Sequence, residues 1–220
     1  MIERIRVPVC ALLAFCALNV FAQDGGETKL DDILLKMEAA DKKVDTAEIT
    51  YVQEIFYSAT KEKQIITGNL KYKKPGSIVI EQKTPQKQMI YIDGKKVTVY
   101  TPENSQAVVD DWKDMVNGDF TASSMVNFAG NWKTIRKDNE INYAGEDDNN
   151  YIINISPLRK NEWNMQLHVD KNTFLAKKAV VTAAGLMANV DISQYKVNPG
   201  FKKDVFKFTP PAGVEIIELN

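Results

Sequence analysis

Cysteine is almost missing from this chain. Of 220 residues only Cys10 and Cys16 carry a thiol, and both lie in an apolar segment at the N-terminus. A chain cut behind that segment holds no cysteine, which excludes disulfide staples, thiol catalysis and thiolate-held metals. Histidine is scarcer still: His168 stands alone, so His and Cys cannot assemble a zinc site, which needs three or four ligands. Serine nucleophiles need a base, and nothing resembling Gly-x-Ser-x-Gly accompanies the single histidine. No glycine-rich loop is built to cradle phosphates. An excess of one charge is lacking too. Lys+Arg 28 against Asp+Glu 29 gives a net charge of -1, which leaves no basic face to neutralise a nucleic acid. Carboxylates are plentiful, but their setting marks no pair as acid and base for glycoside cleavage. These residues suit a container rather than a catalyst, with no metal or cofactor expected.

Long apolar runs are also absent. The longest, residues 7–18, follows Arg4 and Arg6 and is shorter than the roughly 20 residues that span a bilayer as a helix. Val20-Phe21-Ala22 puts modest residues where a signal peptidase cuts, so the segment reads as an export signal, with cleavage after Ala22 and a mature start at Gln23. Acylation at Cys16 is the alternative. Phe15 stands where lipoprotein processing wants a small residue, which speaks against it.

Residues 28–44 carry Leu30, Ile33, Leu34, Met37 and Val44 at helical spacing, with Asp31 and Asp32 in the first turn. This predicts an amphipathic helix docked on a core. From Thr46 the period falls to two. Strands are expected over residues 46–57, 66–73, 78–81 and 87–92, with a hairpin turn at Asp93-Gly94 leading to Val97 and Val99. Residues 110–130, with Trp112, Met115, Phe120, Met125, Val126 and Phe128, read as short helices. Strands resume over 132–137, 140–144, 151–156, 163–169, 176–183 and 187–196, and Phe206-Lys207-Phe208 forms a last segment. About ten or eleven strands in hairpin order with few helices predict a mainly β, α+β fold, one strongly curled antiparallel sheet. No linker or repeat divides residues 23–220, which read as a single domain.

One ordered set of motifs is more specific. Gly68-Asn69-Leu70-Lys71-Tyr72-Lys73-Lys74-Pro75 is followed by Thr84-Pro85 and Gln88, then Tyr91-Ile92-Asp93-Gly94-Lys95, Val97 to Pro102, and Gln106. The tail reads Phe206-Lys207-Phe208-Thr209-Pro210-Pro211, with Gly213 and Val214 close behind. This set resembles LolA, the periplasmic lipoprotein carrier family. The resemblance implies an unclosed β-barrel whose hollow is covered by the N-terminal helix and a mid-chain lid, here Trp112, Met115, Met125, Val126 and Phe128. It also implies acylated lipoproteins as cargo, loading by an inner-membrane lipoprotein-releasing ABC transporter complex, delivery to an outer-membrane acceptor, and a monomer in the periplasm. Where the family usually has an arginine latching the lid, this chain has Lys74, which keeps the charge but loses the planar fork of donors.

The expected acyl-chain cavity comprises Leu34 and Met37 from the helix and Leu70, Tyr72, Ile78, Ile80, Met89, Tyr91, Val97 and Val99 from the strands. For residues 87–92 the Ile90/Ile92 face is the open alternative to Met89/Tyr91. The same side chains would equally fill an ordinary core. A sensor of mislocalised lipoproteins, or a general amphiphile-binding protein of the envelope, fits the same half-barrel and remains the competing function.

Overall fold

The computed structural model describes residues 24–111, 132–158, 163–183 and 185–219. The chain opens with helix α1 (Asp24–Lys42) and runs through β1 (Thr46–Tyr57), β2 (Lys63–Lys73), β3 (Ser77–Thr84), β4 (Gln88–Ile92), β5 (Lys96–Thr101) and β6 (Gln106–Asp111). A short helix α2 (Trp132–Asp138) then leads into β7 (Asn139–Glu146), β8 (Asn150–Pro157), β9 (Trp163–Asp170), β10 (Ala176–Ala183), β11 (Leu186–Val197) and β12 (Glu215–Glu218).

All twelve strands belong to one sheet in the order β12-β6-β5-β4-β3-β2-β1-β11-β10-β9-β8-β7. Two hairpin-connected halves, β1–β6 and β7–β11, are joined by the long antiparallel ladder between β1 and β11. Among the described residues no ladder joins β7 to β12, so the sheet is a large unclosed one. Its tight turns follow local chemistry. Asp93 accepts hydrogen bonds from the backbone N–H groups of Lys95 and Lys96 at 2.9 and 2.8 Å, and Gly94 takes the positive φ of 90° that the turn needs. Those bonds hold the Asp93 carboxyl below its usual pKa.

The structure corrects the sequence reading at three points. Residues 132–137 form helix α2, not a strand. Ile135 is buried against α1, and Asn139 Nδ2 donates to the Ile135 carbonyl at 2.9 Å, satisfying a helix-end acceptor. Strand β6 falls where the helical middle segment was expected to begin. Strand β12 lies beyond the last expected segment and pairs in parallel with β6, the exception to an otherwise antiparallel sheet.

One face of the sheet is apolar and carries the core. Helix α1 lays Leu30, Ile33, Leu34 and Met37 over the β8–β11 side, against Ile153, Ile155, Met165, Leu167, Val169 and Val181. Ile33 is 1% exposed, whereas Leu35 on the opposite side of the helix is 68% exposed. A second cluster gathers Tyr51, Ile78, Ile80, Ile92 and Val97 on the β1–β5 side.

Candidate functional site

Between the two clusters the packing is incomplete. A cavity of about 120 Å³, partly open to solvent, lies on the inner face. Ile49 and Leu70 bound one end, and Met165, Val181 and Ala188 the other. Cross-strand partners share a face, and the register puts Gln53 opposite Val190, Val190 opposite Ala179, and Ala179 opposite Leu167. The hollow has a simple cause. Ala176, Ala179 and Ala188 stand where larger side chains would meet those of β1 and β9, and close-packed interiors leave such space only where side-chain volume is missing.

The lining is apolar except for Tyr51, Gln53 and Lys178. Lys178 carries its charge to Asp191, 3.4 Å away. Burial pushes the Tyr51 phenol up to about 12, so it is neutral at any physiological pH.

The predicted cavity residues separate into three groups. Leu70 lines the cavity. Tyr72, Ile78, Ile80, Val97 and Val99 stand beside it in the second cluster, and Leu34 and Met37 sit under α1 in the first. Met89 and Tyr91 are on the other face of the sheet, and this placement is a correction. Ile90 and Ile92 pair with Val99 and Val97 on one side and with Ile80 and Ile78 on the other, so β4 turns its isoleucines inward. Tyr91 instead packs its ring against Phe208, with centroids 5.4 Å apart. Trp112, Met115, Met125, Val126 and Phe128, the expected lid, lie outside the described residues.

Lys74 latches α1. Its Nζ donates to the Asp41 and Lys42 carbonyls at 3.0 and 3.1 Å, with Asp45 Oδ1 at 3.8 Å. These carbonyls end the helix, where the Asp41 oxygen also accepts the Val44 N–H at 3.1 Å and the dipole is negative, so an ammonium suits the place. A lysine reaches both oxygens as a point charge. At the other end of α1, Lys29 pairs with Glu146 at 3.0 Å, and Asp31 pairs with Arg136 of α2. Sequence reasoning missed the cavity wall on β9–β11, and with it Tyr51 and Gln53. The available signal was Gln53, a polar residue interrupting the inward series Ile49, Tyr51 and Ile55.

Among the described residues no group of three or more His, Cys, Asp or Glu could hold a metal, and no helix is long and apolar enough to cross a membrane. His168 instead faces Gln166 Oε1 at 3.3 Å and Asp147 Oδ2 at 3.9 Å.

A sequence profile described as "Outer membrane lipoprotein carrier protein LolA" matches residues 42–209, well over half of the chain. The chain belongs to the LolA family. A LolA relative from Xanthomonas campestris, named outer-membrane lipoprotein carrier protein, is 26% identical over 218 residues, covering 98% of this chain and 97% of its own. One of the same name from Haemophilus influenzae is 24% identical over 204 residues, covering 93% and 95%. Among solved structures, an uncharacterized conserved protein from Thermus thermophilus aligns with TM-score 0.59 at 11% identity, over 87% of this chain and 99% of that one. MucB aligns with TM-score 0.53 at 13% identity, over 86% and 66%. At these identities the two structures speak for the fold alone.

Proposed function

We propose that this LolA-family protein is a non-enzymatic carrier that holds lipoprotein acyl chains in the inner-face cavity and moves them through the periplasm from the inner to the outer membrane. The observation that carries the reading is an apolar hollow left open between two packed clusters in a chain whose family profile and relatives are named for lipoprotein carriage. Each buried CH₂ of an acyl chain gains about 0.8 kcal/mol, so two or three chains in water are prohibitive and a carrier must replace that burial. A partly open hollow does so without locking the cargo in. Helix α1, held by its apolar stripe and by Lys74, covers the packed cluster beside the hollow.

The protein would act after export and cleavage behind Ala22, as a monomer. A lipoprotein-releasing ABC transporter of the inner membrane would load it, since the sequence offers no nucleotide-binding loop to drive extraction, and an outer-membrane acceptor would unload it. The test is native mass spectrometry of the protein taken from the periplasm, followed by denaturation and lipid analysis. Acylated lipoprotein bound one to one is the expected result. A protein that is empty, and stays empty when challenged with acylated lipoprotein, overturns the reading.

A further inference from the structure

The cavity contains a polar spot that an acyl chain alone does not explain. Gln53 is 6% exposed and Tyr51 5% exposed, both line the cavity, and no hydrogen bond joins either side chain to another described residue. Polar neighbours on the same face are satisfied: Gln82 Nε2 donates to the Gln86 carbonyl at 3.0 Å, and Gln88 Nε2 to Thr101 Oγ1 at 3.2 Å. No side-chain nitrogen or oxygen among the described residues is both sealed from solvent and unpaired, so these polar atoms open onto the hollow, and an apolar occupant that drives out water without pairing them carries a free-energy penalty. Being two residues apart on β1, the two side chains leave the strand about 7 Å apart on one face, and the Tyr51 hydroxyl reaches over Gly68 of β2. Between them they offer an amide N–H₂, an amide carbonyl and a phenolic O–H that burial keeps protonated.

We propose that Gln53 and Tyr51 hydrogen-bond the carbonyl that joins an acyl chain to its carrier molecule, an ester or amide, so that the cavity takes the linkage end of the chain and sets how far it enters. This rests on the acyl-carrier reading above and adds a recognition element to it. One donor would come from each side chain, with the hydrocarbon running along the alanine-lined hollow over β10 and β11. A hydrocarbon without the carbonyl would bury the same CH₂ groups but leave both polar side chains unpaired.

The experiment compares methyl myristate, ¹³C-labelled at its carbonyl, with pentadecane, an apolar chain of the same carbon count, on the full mature chain. Wild-type protein is expected to bind the ester about tenfold more tightly, roughly what one or two net hydrogen bonds supply, and to move the labelled carbonyl stretch to lower frequency. Gln53→Leu and Tyr51→Phe should each lose much of that preference and shift while binding pentadecane at least as well. Gln53→Met serves where the leucine variant folds poorly. Equal affinity for the two probes with an unshifted carbonyl overturns the recognition element and leaves the carrier reading standing. Failure of wild-type protein to bind either probe overturns both. A triacylated lipopeptide and a diacylphospholipid, compared in the same assay, distinguish the carbonyl's source: tighter lipopeptide binding supports lipoprotein linkage, and tighter phospholipid binding overturns it as the source.

Discussion

Replacing Lys74 with methionine tests what holds helix α1 in place. Two forces act on the helix. Leu30, Ile33, Leu34 and Met37 are all buried, and at about 1.5–3 kcal/mol for each fully buried side chain they contribute roughly 6–12 kcal/mol. The Lys74 ammonium donates to two carbonyls in the last turn. Its side chain is 38% exposed, so solvent screening cuts the usual value of a charged hydrogen bond, and about 1–2 kcal/mol is left. The apolar stripe wins by several-fold. Lys74→Met keeps the stem and removes the donors, so it should loosen the last turn of α1 without releasing the helix. At about 2–4 °C per kcal/mol for a domain of this size, Tm should fall by about 2–8 °C. Amide exchange should quicken at residues 40–44 while the amides around Ile33 stay protected, and Lys74→Arg should restore both. Unchanged exchange at 40–44 would refute the latch. Loss of protection along the whole helix would refute the weighing of stripe against latch.

Gly68→Ala should destabilise by about 1–3 kcal/mol in chemical denaturation, because its Cβ would come within 2.7 Å of both the Glu81 carbonyl oxygen and Tyr51 Oη; a neutral effect would mean that β2 and β3 can part there. Ile33→Ala should cost about 2–5 kcal/mol in the same measurement, since Ile33 is 1% exposed under the helix. Alkaline stability should depend on Tyr51 and Tyr195, both pushed up to about 12 by burial. An unfolded phenol titrates near about 10, so the folded form keeps its proton longer, and this contribution is whole below about pH 10 and is lost as pH rises toward 12. Tyr51→Phe should therefore flatten the fall in urea midpoint between pH 10 and 12, and an identical slope would refute the burial argument. Ala179→Phe, which adds volume to the hollow, should abolish cargo binding while the thermal melt stays cooperative; full loading would place the cargo elsewhere.

How much of this was legible in the sequence depends on whether the cause is local. Strands β1, β2 and β8–β11 alternate apolar and polar residues, so their period of two is visible, and Asp93-Gly94 announces its own turn. Helix α1 shows its stripe for the same reason. Helix α2 misled because Trp132 and Ile135, three apart, sit among strands and leave seven residues too few to establish a helical period. Strand β12 has four residues, Glu215-Ile216-Ile217-Glu218, and exists because β6 offers a parallel edge far away in sequence, which no local pattern announces. The cavity is the extreme case, since missing volume defines it. Ala176, Ala179 and Ala188 look unremarkable one by one and form a hollow only when the register brings them together opposite β1 and β9. The quoted family motifs lie at turns and strand ends of the first half and in the tail, whereas the far wall of the hollow is on β9–β11, which carry none of them. Turn chemistry holds the frame and register-dependent side-chain volume sets the lining. On the proposed carrier reading, enlarging or shrinking residues at 176, 179 and 188 would therefore change cargo preference with the turn motifs of the first half and the tail left untouched.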